Sequence, residues 1–395
     1  MARPTPFHPR TSAACHSYAW KEWAGYAAVR AYDLHSEGEY FGVRHAAGMI
    51  DVSPLYKYDL RGPDAAALLA WLFSRDIAKL GPGRITYGCL LDERGKVLDD
   101  GTVSRLGPDW FRLTSSEPWR GWLVEHALGR AVTVDDITET VAAVAVQGPA
   151  ARAMLQAIWP AVSKLGFFRA VAVDGAIVGR TGYTGDLGYE VWVPAGEAVA
   201  LWDRLLEAGR PYDVRPFGLD ALDVLRIEAG FVLQGVDYLS SRATLLERRR
   251  STPDEVSLGW TVDLDRAPFL GQAAIREERG RPPVWALVGL ELSWPGIEQL
   301  YASLDLPPQL APVASREPVP VYDASGRTQV GYVTSRTWSP ITKRYLALAT
   351  VRGAYAKPGS RVKIEFTPEF ERRQVDAVVV EKPFYDPPHK RGVPK

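Results

Sequence analysis

The sequence predicts an α+β protein with two mixed α/β lobes followed by an all-β C-terminal domain, either a small barrel or a sandwich. Three observations carry this expectation. A strand, a Gly-Pro turn and an alanine-rich helix occur twice in the first 160 residues. Past residue 258 helical signals thin out and β-branched runs follow one another at short intervals. The 35 glycines and 30 prolines among 395 residues cut the chain into many short elements, which argues against a bundle of long helices.

The elements follow in chain order. LYKYDL (residues 55–60) alternates apolar and polar side chains and reads as a strand, ended by the turn RGPD (61–64). Pro63 suits a helix start, and AAALLAWLFS (65–74) has the composition of a helix. Residues 84–91 and 96–105 read as strands separated by the turn DERG (92–95), which makes a hairpin. VAAVAVQ (141–147), Gly148-Pro149 and AARAMLQAIW (150–159) repeat the first pattern, and two similar lobes explain the repetition most simply. Later strands are expected at 285–292, 318–322, 329–334, 345–351, 361–366 and 374–380. The stretch 294–317, with a helical IEQLYASL and a proline-rich exit, reads as an excursion inside the β domain, and the tail 386–395 as irregular.

Composition narrows the function. The 47 basic and 47 acidic residues cancel, which disfavours a nucleic-acid binder steered by net charge, and 46% hydrophobic residues exclude a disordered chain. Two cysteines, Cys15 and Cys89, are too few for a disulfide framework and fit a reducing cytoplasm. No uncharged apolar run reaches about 18 residues and the N-terminus has no apolar leader core, so a cytoplasmic protein without membrane contact is expected. The six histidines are scattered and predict no metal site. GxGxxG, the P-loop and GxSxG are all absent.

Two segments could carry chemistry. GRTGYTGDLGYEVWV (179–193) places four glycines within ten residues, with Tyr183, Tyr189 and Glu190 among them. Such a set suits a planar heterocycle, since an aromatic packs on the ring and a carboxylate accepts parallel N–H donors. A glycine-rich turn with surface tyrosines is the alternative. Leu98-Asp99-Asp100 lies mid-strand, so its two carboxylates point to opposite faces. One of them can face a pocket, or both can sit at a hairpin edge facing water.

At these segments the chain resembles the folate-dependent aminomethyltransferase family, whose founding member is the T-protein of the glycine cleavage system. GMIDVSPLYKYDLRGPDA, KVLDDGTVSR, AVAVQGPAAR, GRTGYTGDLGYEVWV, GLDALDVLRIEAGFVLQG, LGWTVDLDRAPFLG, VGYVTSRTWSPITKRYLALATV and VEKPFY keep the family's order over nearly the whole length. The resemblance implies a three-lobed ring around a central tetrahydrofolate channel, the third lobe being a β-barrel. It implies one lobe from 1–50 plus 138–240, a second from 51–137 plus 241–278, and the barrel from 279–395 with the excursion 294–317. It also implies that Glu190 clasps the pterin, that Tyr87, Tyr183 and Trp260 line the folate pocket, and that Asp100 is the catalytic carboxylate.

Departures from the T-protein shape the functional expectation. DVSHM has become Asp51-Val-Ser-Pro-Leu55, GLGARD has become Gly218-Leu-Asp-Ala-Leu-Asp223 with Leu222 at the arginine position, and the early FxGWxxP has become WAGYAAV (23–29). These changes are similar to relatives that move a methyl group from a small O-, N- or S-methyl compound to N5 of tetrahydrofolate, with Tyr26 and Leu222 at the substrate end. Such a transfer needs the methyl carbon about 3 to 3.5 Å from its acceptor, in line with the leaving group. One alternative is a true aminomethyltransferase served by a lipoyl carrier protein. Another is a non-catalytic folate-binding accessory protein, although GFVLQGVD (230–237) lacks the cysteine of those relatives.

Overall fold

The computed structural model describes residues 2–392 as a short N-terminal hairpin, two sheet-and-helix lobes and a closed barrel. The hairpin pairs Ala19–Trp23 with Tyr26–Ala31. Six strands form the first sheet, in the spatial order Ala170–Val173, Ala176–Gly179, Gly188–Pro194, Val141–Gln147, Gly48–Asp51 and Arg215–Pro216, and only the last pairing is parallel. Five antiparallel strands form the second, in the order Arg84–Leu91, Val97–Gly107, Trp110–Ser115, Tyr56–Arg61 and Thr133–Asp136. Among the described residues no helix is long and apolar enough to cross a membrane, and no group of three or more His, Cys, Asp or Glu could hold a metal ion.

The repeated Gly-Pro turns are alike down to the backbone. Gly62 and Gly148 both sit at φ 130°, where L side chains are strained. A Cβ at Gly62 would lie 2.3 Å from the Ala131 carbonyl oxygen, and one at Gly148 would lie 2.4 Å from that of Val43. Each turn feeds a helix onto its sheet. Helix Ala65–Leu72 buries Ala65, Leu68, Leu69 and Leu72, the i, i+3, i+4, i+7 stripe of an amphipathic helix. Helix Ala151–Ile158 buries Ala151, Met154 and Leu155 against the first sheet.

Trp285–Leu292, Val319–Asp323, Gln329–Ser339, Arg344–Arg352, Arg361–Phe366 and Arg373–Val380 close into the barrel, which resolves the barrel-or-sandwich alternative. The helix of the excursion begins earlier than its apolar run suggested, at Trp294–Ala302. Ser293 caps it by accepting from the Gly296 N–H at 3.1 Å, and Pro295 occupies the first turn. Ile297 and Tyr301 bury into the barrel core; full burial of a side chain of isoleucine size contributes about 1.5–3 kcal/mol. Helix Leu219–Glu228 ends at Gly230, whose φ of 68° lets the chain reverse. One apolar cluster contains Cys89 and Val97 of the second lobe, Ile227 of this helix and Leu287 and Leu348 of the barrel, so the three units share packing.

Candidate active site

A cavity of about 1320 Å³ lies where the lobes, the hairpin and the C-terminal tail converge. On its wall, strand register sets the first constellation. Cys89 faces Asp100 across the Arg84–Leu91/Val97–Gly107 pair, and Tyr87, two residues before Cys89, lies on the same face as a diagonal neighbour. Tyr87 donates its hydroxyl to Asp100 Oδ2 at 2.7 Å. Tyr238 donates to Asp100 Oδ1 from the loop beyond helix Leu219–Glu228. Burial raises the Asp100 pKa, and the Tyr238 and Tyr87 hydroxyls oppose the rise. The same burial, with Asp100 beside it, drives the Cys89 thiol far up.

Asp99 faces away from the cavity and does structural duty. It accepts from the Ser116 and Glu117 N–H groups at 3.0 and 2.9 Å, from the Ser116 hydroxyl at 2.5 Å and from Trp119 Nε1 at 2.8 Å. Burial first and neighbouring Asp100 second push Asp99 up to about 7. The pair therefore divides between the interior and the cavity wall and does not sit at a hairpin edge facing water.

Glu190 enters the cavity from strand Gly188–Pro194, paired with Ala145 on one side and Gly179 on the other. Burial raises its pKa, against the Thr181 hydroxyl and the charge of Lys57. No cation lies within 4 Å of it among the described residues. The glycines of this motif serve the protein's own packing as well as any ligand. A Cβ at Gly182 or Gly188 would lie 1.9 or 2.4 Å from Gln147 Oε1. The Gln147 amide fills that space, donating to the Thr181 and Tyr189 carbonyls at 3.3 Å and accepting from the Thr184 hydroxyl at 2.9 Å. Tyr189 is fully buried in the first lobe and is no ligand surface. Tyr183 lines the cavity, donates its hydroxyl to the Val232 carbonyl and stacks on Phe231, with ring centroids 5.6 Å apart.

Trp260 is 60% exposed at the cavity, stacked on Tyr87 with centroids at 6.0 Å and lying 5.3 Å from the Arg75 guanidinium. Leu222 also lines the cavity, on helix Leu219–Glu228. Tyr26 does not: its ring is buried under Arg3 at 4.7 Å, and the hairpin presents Lys21, Glu22, Trp23 and Ala24 to the cavity instead. The tight turn at Ala24-Gly25, both at positive φ, sends Tyr26 onto the strand's inner side.

Sequence reasoning missed Tyr238, Arg316 and Lys382. Tyr238 lies 138 residues from Asp100, so no spacing rule could pair them. Arg316 comes from the excursion and reaches the cavity by pairing with Asp223 at 2.6 Å, so the wall beside neutral Leu222 carries a cation supplied by another element. Lys382 lines the cavity, and burial lowers its pKa to about 8, against the charge of Asp237. The LRIEAG segment ties the helix to the barrel. Arg226 bonds Asp223, Asp237 and Ser335 at 3.0, 2.6 and 2.7 Å, while Glu228 accepts from Arg44, Tyr40 and Ser339.

Known proteins share this architecture. The GCVT N-terminal domain matches residues 6–266, and the glycine cleavage T-protein C-terminal barrel domain matches residues 302–386. The chain belongs to the glycine cleavage T-protein family. An aminomethyltransferase of Herpetosiphon aurantiacus is 33% identical over 363 residues, covering 89% of this chain and 91% of that protein. A trimethylamine-oxide aldolase of Ruegeria pomeroyi is 35% identical over 371 residues, covering 89% of this chain but 43% of that protein, so the chain spans less than half of that relative's length. The crystal structure of glycine cleavage system aminomethyltransferase T from Bartonella henselae superimposes with a TM-score of 0.82 at 26% identity, over 98% of this chain and 99% of that one.

Proposed function

We propose that the protein is a cytoplasmic tetrahydrofolate-dependent demethylase, which takes a methyl group from a small O-, N- or S-methyl compound. Aminomethyltransferases of this family use tetrahydrofolate. The cavity residues fit that molecule. Glu190 has no cation within 4 Å among the described residues and can accept N–H donors of a pterin, and Tyr183 with Phe231 offers an aromatic wall. Lys382 supplies positive charge suited to a glutamyl carboxylate, beside Lys390 and Arg391 of the C-terminal tail, which both pair with Asp386. Bound tetrahydrofolate supplies the nucleophilic N5 that receives the one-carbon unit.

The chain's own residues do the rest. Asp100, held by two phenols, keeps a carboxylate on the wall that orients the cofactor and offsets positive charge developing on a nitrogen. Tyr87 and Trp260 form an aromatic pair beside Asp100 on which a flat ring can pack. The observation that carries the demethylase reading is Leu222, a neutral side chain at the substrate wall on helix Leu219–Glu228, whose one cavity-lining cation, Arg226, is already paired with Asp223 and Asp237.

The second reading is aminomethyl transfer from a lipoyl carrier protein, giving 5,10-methylenetetrahydrofolate and ammonia. It is favoured by the aminomethyltransferase relatives, which this chain matches over nine-tenths of their length. Incubation with tetrahydrofolate and a panel of ¹³C-methyl amines, sulfonium compounds and methoxyaromatics, read by NMR, separates the two. 5-Methyltetrahydrofolate from a free donor is the expected product. Turnover of aminomethylated lipoyl carrier alone would refute the demethylase reading.

A further inference from the structure

We infer that the methyl donor carries a carboxylate, received by Arg316 and Lys21 at the cavity wall beside Leu222. The inference rests on the methyl-transfer reading above.

Arg316 is a placed cation. Its neighbour Ser315 is locked to strand Gln329–Ser339 by two backbone bonds to Arg336, each 2.9 Å. Its Nε donates to Asp223 Oδ2 at 2.6 Å, and the side chain remains 31% exposed. Neither Nη group has a hydrogen-bond partner among the described residues, so a two-pronged donor end is left at the cavity.

Lys21 reaches the same wall from strand Ala19–Trp23 and has no carboxylate within 4 Å among the described residues. Burial first and Arg316 second lower its pKa, which sets the two cations within each other's field. Asp223 spreads one negative charge over two guanidiniums and the field of Lys21. Its Oδ1 is taken by Arg226 and its Oδ2 by Arg316. Glu22 also lines the cavity but pairs with neither cation. Two like charges facing one cavity favour an incoming anion, and a fork of donors matches a planar carboxylate. Leu219, Leu222 and Trp23 give the adjoining wall an apolar surface for the methyl-bearing end. The donor class is therefore a small acid with an O-, N- or S-methyl group a few atoms from its carboxylate.

Calorimetry on the full chain in the presence of tetrahydrofolate tests this with matched pairs: N,N-dimethylglycine against its amide, and 4-methoxybenzoate against 4-methoxybenzamide. At least one carboxylate is expected to bind about ten- to hundredfold tighter than its amide. The Arg316→Gln/Lys21→Gln double variant should erase that difference, and Arg316→Lys alone should retain most of it. Equal affinity within both pairs, binding of none of the four, or undiminished discrimination in the double variant would overturn the assignment. Methyl transfer measured in parallel keeps the two readings apart. Transfer without discrimination overturns the carboxylate subsite, while discrimination without transfer upholds the subsite and overturns the demethylase reading.

Discussion

Asp99 and Asp100 are neighbours on one strand, yet they inhabit different worlds. Asp99 is met by five donors: the backbone N–H groups of Asp100, Ser116 and Glu117, the Ser116 hydroxyl and the Trp119 indole. Asp100 is met by two, both phenols, and borders the cavity. A carboxylate offers about four lone-pair sites, so Asp99 is saturated by the protein while Asp100 has capacity to spare. Saturation is what a structural anchor needs, and spare capacity is what a site needs. The pleat alone, by sending consecutive side chains to opposite faces, lets one dipeptide provide both.

Altering either face should cost something different. Asp99→Ala strands buried donors on the structural face, and urea unfolding should show a loss of about 3–5 kcal/mol. A loss below about 1 kcal/mol would mean that Asp99 is no anchor. On the cavity face, Glu190→Gln keeps the shape but removes the charge, and folate affinity should fall about ten- to hundredfold by fluorescence titration, with the melting temperature little changed. An unchanged affinity would remove Glu190 from the folate site.

Tyr238→Phe sharpens the contrast within the cavity face. The phenol donates to ionised Asp100 and holds its pKa down, so its removal should raise that pKa further. If the ionised form is the working one, the acid limb of kcat/KM should move to higher pH, with activity lost earlier as pH falls. A pH profile superimposable on that of the unaltered protein would show that Asp100 does not govern the limb.

Much of this was legible in the residues. The doubled strand–turn–helix pattern became two lobes, each with a glycine at φ 130° where a carbonyl presses on the turn and leaves no room for a Cβ. The turn of composition past residue 258 became the barrel because strand alternation registers burial directly. The opposed roles of Asp99 and Asp100 followed from period-two geometry. What escaped were the contacts made over long sequence distance. Tyr238 reaches Asp100, Gln147 fills the gap over Gly182 and Gly188, and Arg316 reaches Asp223, each pair joined only by tertiary packing. Tyr26 was misplaced because two positive-φ residues turn the hairpin between it and Trp23, which a pattern of residue types does not reveal.

In the proposed function, Asp100 acts on the bound cofactor and does not merely hold the strand. Single-turnover methyl transfer by Asp100→Asn, with tetrahydrofolate saturating and a reactive donor in excess, tests it most directly. A rate lowered about 10²- to 10³-fold is expected. A rate within about threefold of the unaltered protein would contradict it.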